Sequence, residues 1–152
     1  MYGSGVFGTE EFSGLLEIFN PFSAAYVEQI NHWSHIWTET KKAEDDEYIP
    51  YDIFPQSPGL LPCGRGEGRR VLFWLTEGKS NEWPLILWPP EKTFHRFRVS
   101  LASFLVRLFT GKVKTFGGSL EAEWFKAHQQ ENTFTPAAEA STKHFRRRKE
   151  YP

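Results

Sequence analysis

Two uninterrupted apolar runs, Val71-Leu72-Phe73-Trp74-Leu75 and Pro84-Leu85-Ile86-Leu87-Trp88, constrain this chain more than any other feature. A strand with one face in water alternates apolar and polar residues, so a five-residue run without alternation marks a strand buried in the middle of a sheet. Gly78 and Asn81 lie between the runs as turn residues, and the pair reads as two central strands joined as a hairpin. Burying such a hairpin takes large side chains, which the composition supplies: 39% hydrophobic and 16% aromatic residues, with 14 Phe and 6 Trp. At 152 residues there is enough chain for one core and too little for two comfortable domains.

The flanking sequence supplies further elements. Phe12 to Asn20 has the apolar character of a strand, stopped at Asn20-Pro21. Beyond it Tyr26, Ile30, Trp33 and Trp37 fall on one stripe of an amphipathic helix, which Val27 would widen. Asn20 or Ser23 suits its start, and Lys41 and Lys42 suit the negative end of its dipole. "YIPYDIFP", bounded by prolines, reads as an edge strand or extended segment, and "QSPGLLPCGRGEG" as a loop. "FHRFRV" puts Phe94, Arg96 and Arg98 on one side and His95, Phe97 and Val99 on the other. Ser100 then caps a second helix with Leu101, Phe104, Leu105 and Leu108 on its apolar face and Gly111 at its C-terminal cap. A single domain over residues 1–135 is expected, followed by a flexible basic tail, 136–152.

Gly64, Gly66 and Gly68 raise the question of a phosphate-binding loop. Such a loop follows a strand and opens a helix, whose free amides hold the anion. Here a proline-rich stretch precedes and an apolar strand follows, with no Lys-Ser/Thr pair after Gly68. The glycines therefore read as a backbone device, a bend of positive φ leading into Val71.

Taken in order, "YGSGVF", "IFNPFS", "GLLPCGRGEGRRVLFWL", "WPLILW" and "SLASFLVRLFTGKV" resemble the segments of the SUKH superfamily across residues 2–116. The resemblance implies an α+β fold, a twisted, mainly antiparallel sheet with helices packed against it. It also implies a non-enzymatic role: bacterial members are immunity proteins that neutralise toxins of polymorphic toxin systems, often nucleases, and fungal relatives regulate cell-wall assembly. Family members usually open with an amphipathic helix that runs into the "YGSG" element. Here Met1 directly precedes Tyr2, so a form lacking that helix is expected, either truncated or started too far downstream.

Charge gives this implied role a surface. Residues 1–62 carry 2 basic against 10 acidic side chains, residues 63–118 carry 10 against 4, and the whole chain is at −1. An acidic rim from Glu44, Asp45, Asp46, Glu47 and Asp52 is expected to steer a cationic protein toxin, with Trp83 and Trp88 as anchors. The regulatory interaction module is the alternative.

Catalytic readings fare worse. Four adjacent acids diverge and repel one another, whereas acid-base catalysis needs two held at a fixed separation. Cys63, the only cysteine, excludes an intramolecular disulfide and reads as a small buried hydrophobe rather than a nucleophile paired with one of five histidines. His32 and His35 share a helix face without an evident third ligand, so no metal is expected, and no cofactor. The tail from Lys143 to Lys149 has five positive charges, too few without a folded basic groove to imply direct nucleic-acid binding. No run approaches the roughly 20 apolar residues of a membrane span, and no secretory signal opens the chain, so no membrane partner and a cytoplasmic location are expected.

Overall fold

The computed structural model describes residues 5–8, 13–20, 23–43, 49–66, 70–88, 93–113 and 133–136. They form a mostly antiparallel, eight-stranded sheet and two α-helices. In chain order the elements are β1 (Gly5–Gly8), β2 (Ser13–Ile18), α1 (Ala24–Ala43), β3 (Asp52–Ile53), β4 (Gly59–Gly66) and β5 (Val71–Leu75). A short 3-10 turn, Ser80–Glu82, precedes β6 (Leu85–Trp88), β7 (His95–Phe97), α2 (Leu101–Phe109) and β8 (Thr133–Pro136). Across the sheet the order is β7-β6-β5-β4-β2-β1-β8, and β3 pairs in parallel with the start of β4.

The two apolar runs are β5 and β6, paired antiparallel from Val71 opposite Trp88 to Trp74 opposite Leu85. Each sends alternate side chains to opposite faces, and each face has its own cover. Leu72, Leu85 and Leu87 join Leu16, Ile18 and Cys63 beneath Phe104 and Leu108 of α2. Val71, Phe73, Leu75 and Ile86 join Leu60 and Ile49 beneath Trp37 of α1. Double coverage is the physical reason for the missing polar alternation.

Both helices begin at serines. Ser23 Oγ accepts from the Tyr26 amide at 3.2 Å while donating to the Asn20 carbonyl at 2.9 Å. Ser100 Oγ accepts from the Ser103 amide at 3.2 Å. At the end of α2 the Gly111 amide bonds the Leu108 carbonyl and the Lys112 amide bonds that of Arg107, with Gly111 at φ 67°. This is a Schellman closure, for which glycine is favoured because its left-handed backbone carries no Cβ clash. On α1, Tyr26 and Trp37 are buried and Ile30 and Trp33 partly so, but Val27 is 57% exposed and does not widen the stripe. It stands one residue, about 100° of helix turn, off the line facing the sheet.

The larger correction concerns residues 59–66. They are not a loop but β4, a central strand between β5 on one side and β2 and β3 on the other. Pro62 is tolerated because the β4–β5 register shifts between Pro62 and Gly64, a bulge where no donor is required. Its freed carbonyl accepts from the Tyr26 hydroxyl at 2.7 Å, tying α1 to the sheet. Gly64 is needed for closeness and not for a positive φ: a Cβ there would lie 2.7 Å from the Glu17 carbonyl oxygen and 3.2 Å from Ile18 Cδ1 of β2. Gly66 closes the hairpin by donating to the Arg70 carbonyl at 2.9 Å, and strand β5 follows. At the other end of the sheet β8 spans Thr133–Pro136, and residues 137–152 of the expected tail lie outside the described residues.

Candidate functional site

The β5–β6 connection and the turn from β7 into α2 meet at one end of the sheet and enclose a groove of about 370 Å³. Trp83, Pro84 and Val99 form its apolar lining, and Arg96, Arg98, Glu77 and Glu82 its charged lining. Local geometry fixes each of these. Gly78, at φ 74°, turns the chain after β5, and Trp83 Nε1 donates to its carbonyl at 3.3 Å, holding the half-buried indole in place. The Leu75 amide bonds the Pro84 carbonyl at 2.9 Å, closing the hairpin below the groove. Arg96 forms an ion pair with Glu77 across it. Arg98 has no ion-pair partner among the described residues, which leaves one uncommitted cation beside an aromatic surface.

Of the two candidate tryptophan anchors, Trp83 lies in this groove. Trp88 lies on the α1 face, edge-on to Trp37 with ring centroids 4.6 Å apart and planes at 87°, and its Nε1 is buried without a hydrogen-bond partner among the described residues. Trp33 and Trp37 also bury indole nitrogens that have no hydrogen-bond partner among the described residues. Perpendicular stacking turns one ring edge toward another ring's face, a weak substitute for a hydrogen bond. Trp88 thus spends its aromatic surface on packing against α1.

Asp52 is exposed on β3 and pairs with Lys41 Nζ at 3.1 Å, and the same ammonium reaches the Tyr51 carbonyl at 3.5 Å. The pair joins the last turn of α1 to β3, so Asp52 already has a cation beside it. Glu44, Asp45, Asp46 and Glu47, the rest of the expected rim, lie outside the described residues.

Cys63 is fully buried, and desolvation raises its thiol pKa well above the ordinary value. A thiol held protonated and away from solvent is a poor nucleophile. Tyr26 next to it is also shifted upward, first by burial and second by the negative charge a Cys63 thiolate would carry, so its hydroxyl is a fixed donor to Pro62. His32 and His35 are exposed, with the His32 ring 5.5 Å from that of Trp33. Among the described residues no three His, Cys, Asp or Glu side chains gather to hold a metal ion. Nor is any helix there long and apolar enough to cross a membrane.

Sequence reasoning picked out Trp83 but not Arg96, Arg98 or Glu77 around it. The available signal was the alternation in "FHRFRV", which puts two arginines on one side of a strand with no acid between Thr93 and Ser100. The chain matches no family model, no curated protein and no solved structure.

Proposed function

We propose that this chain is a non-enzymatic binding protein that neutralises a protein toxin as the immunity partner of a polymorphic toxin system. The observation that carries the reading is the ordered set of SUKH-like segments over residues 2–116, above all "GLLPCGRGEGRRVLFWL" and "SLASFLVRLFTGKV". These segments form the β4–β5 hairpin and the capped helix α2. Supporting it is the acidic excess of residues 1–62, a complement for a cationic toxin such as a nuclease with a basic cleft. The sealed, protonated Cys63 weakens the enzymatic reading further.

The test is co-expression with the C-terminal effector domain encoded by any toxin gene found next to this one. Survival of the host with the intact protein, and loss of survival when Glu44, Asp45, Asp46 and Glu47 are changed together to lysine in a protein that still folds, is the expected result. Death of the host despite folded, abundant protein rejects the immunity role for that pair, and absence of any such neighbouring gene favours the regulatory module.

A further inference from the structure

Strand β7 ends the sheet, and among the described residues only β6 pairs with it. Its outer N–H and C=O groups therefore face no strand among the described residues, and such an edge is a template for one more. The opposite edge, β8, is blunted by Pro136, which has no donor to offer. Charge narrows what β7 accepts. Between Thr93 and Ser100 the chain carries Arg96, Arg98 and His95 and no acid. Two copies pairing antiparallel about Arg96 would set arginine against arginine, which opposes self-association through this edge. A segment bearing carboxylates meets the reverse situation, because Arg98 has no ion-pair partner among the described residues and a guanidinium binds a carboxylate with charge-assisted hydrogen bonds.

The groove lies where that edge ends, with Trp83, Val99, Arg98 and Glu82 all in its lining. An incoming chain that places an acid on Arg98 meets the indole of Trp83 in the same groove. We propose that the free edge of β7 and this groove together take an extended acidic segment of a partner protein as an added strand, its carboxylate on Arg98 and an apolar side chain against Trp83. The inference rests on the reading that the chain binds a protein, and not on that protein being a toxin.

The probes are two capped octapeptides of alternating residues, (Glu-Val)4 and (Lys-Val)4, titrated calorimetrically against the full chain, with amide hydrogen exchange read across residues 94–98. The acidic peptide is expected to bind at least about tenfold more tightly and to slow exchange along that edge. Arg98→Glu is expected to abolish the preference, and N-methylation of alternate residues of the acidic peptide to abolish binding to the unaltered protein. No binding, equal affinity for the two peptides, or protection mapped to β8 instead of β7 overturns the proposal. So does acidic-peptide binding that survives N-methylation, a measurement that needs no variant to fold. Failure of the toxin co-expression assay leaves the peptide result standing, and failure of the peptide titration leaves the protection result standing.

Discussion

Replacing Gly64 with alanine tests the centre of the fold, because it asks whether β2 and β4 lie as close as their pairing implies. The added Cβ would sit 2.7 Å from the Glu17 carbonyl oxygen, against the 3.4 Å at which ordinary contact begins. Relief requires the strands to part locally by about 0.7 Å, since the obstacle is backbone and has no rotamer to change. The neighbouring Phe19 N to Cys63 O bond, now 3.0 Å, would lengthen past the useful limit, along with an adjacent rung near Ile18. Two lost backbone bonds at about 1 kcal/mol each come to about 2 kcal/mol, within the usual range for overpacking. For a chain of this size that is a fall in Tm of roughly 4–8 °C, measured by circular dichroism. Gly78→Ala is the companion: nothing lies within 4 Å of its Cβ position, so its cost comes from φ 74° alone, and Gly78→Asn should recover much of it. A Gly64→Ala protein melting within about 1 °C of the parent would refute the close approach and with it the β2–β4 register.

Two further outcomes are expected. Ser100→Ala removes the side-chain acceptor at the start of α2 and should cost about 1 kcal/mol in urea denaturation, with Ser100→Asp nearly neutral. For Cys63, burial raises the folded pKa above the unfolded value of about 8.5, so its contribution is fully present below that pH and is lost as pH rises toward the folded value. Stability should therefore decline above about pH 8.5 by an amount that Cys63→Ser reduces, and the thiol should react with a disulfide reagent only as fast as the protein opens.

What could be read in advance depended on whether local pattern and tertiary use agreed. The helix at Tyr26, Trp33 and Trp37, the two serine caps, Gly111 and the β5–β6 hairpin are each specified within a few residues, and the structure has them. Residues 59–66 were illegible because Gly59, Pro62, Gly64 and Gly66 carry every local mark of a loop. Their use as a strand depends on partners distant in sequence: Glu17 pressing on Gly64, and Tyr26 taking up the Pro62 carbonyl at a bulge. The groove was half legible for the same reason. Trp83 is conspicuous alone, but Arg98 matters only once β7 is seen to be an edge and Glu77 is seen to occupy Arg96.

The sheet's two apolar faces pose a problem of alignment that polarity cannot solve. If β5 slid by one residue so that Thr76 took the place of Leu75, its side chains would exchange faces, and no charged group would be driven indoors to penalise the error. What distinguishes the right alignment is bulk. One chamber buries indole and phenyl rings, Trp37 and Phe73 with Trp88 against them, whereas the buried centre of the other is chiefly leucines around Phe104, with Trp74 and Phe97 at its margin. The bulge at Pro62 acts beside them as a notch that a shifted strand would miss. Exchanging Leu72 and Phe73 would keep the composition and hydropathy of β5 while removing that discrimination, leaving a chain able to collapse but less able to choose one pairing.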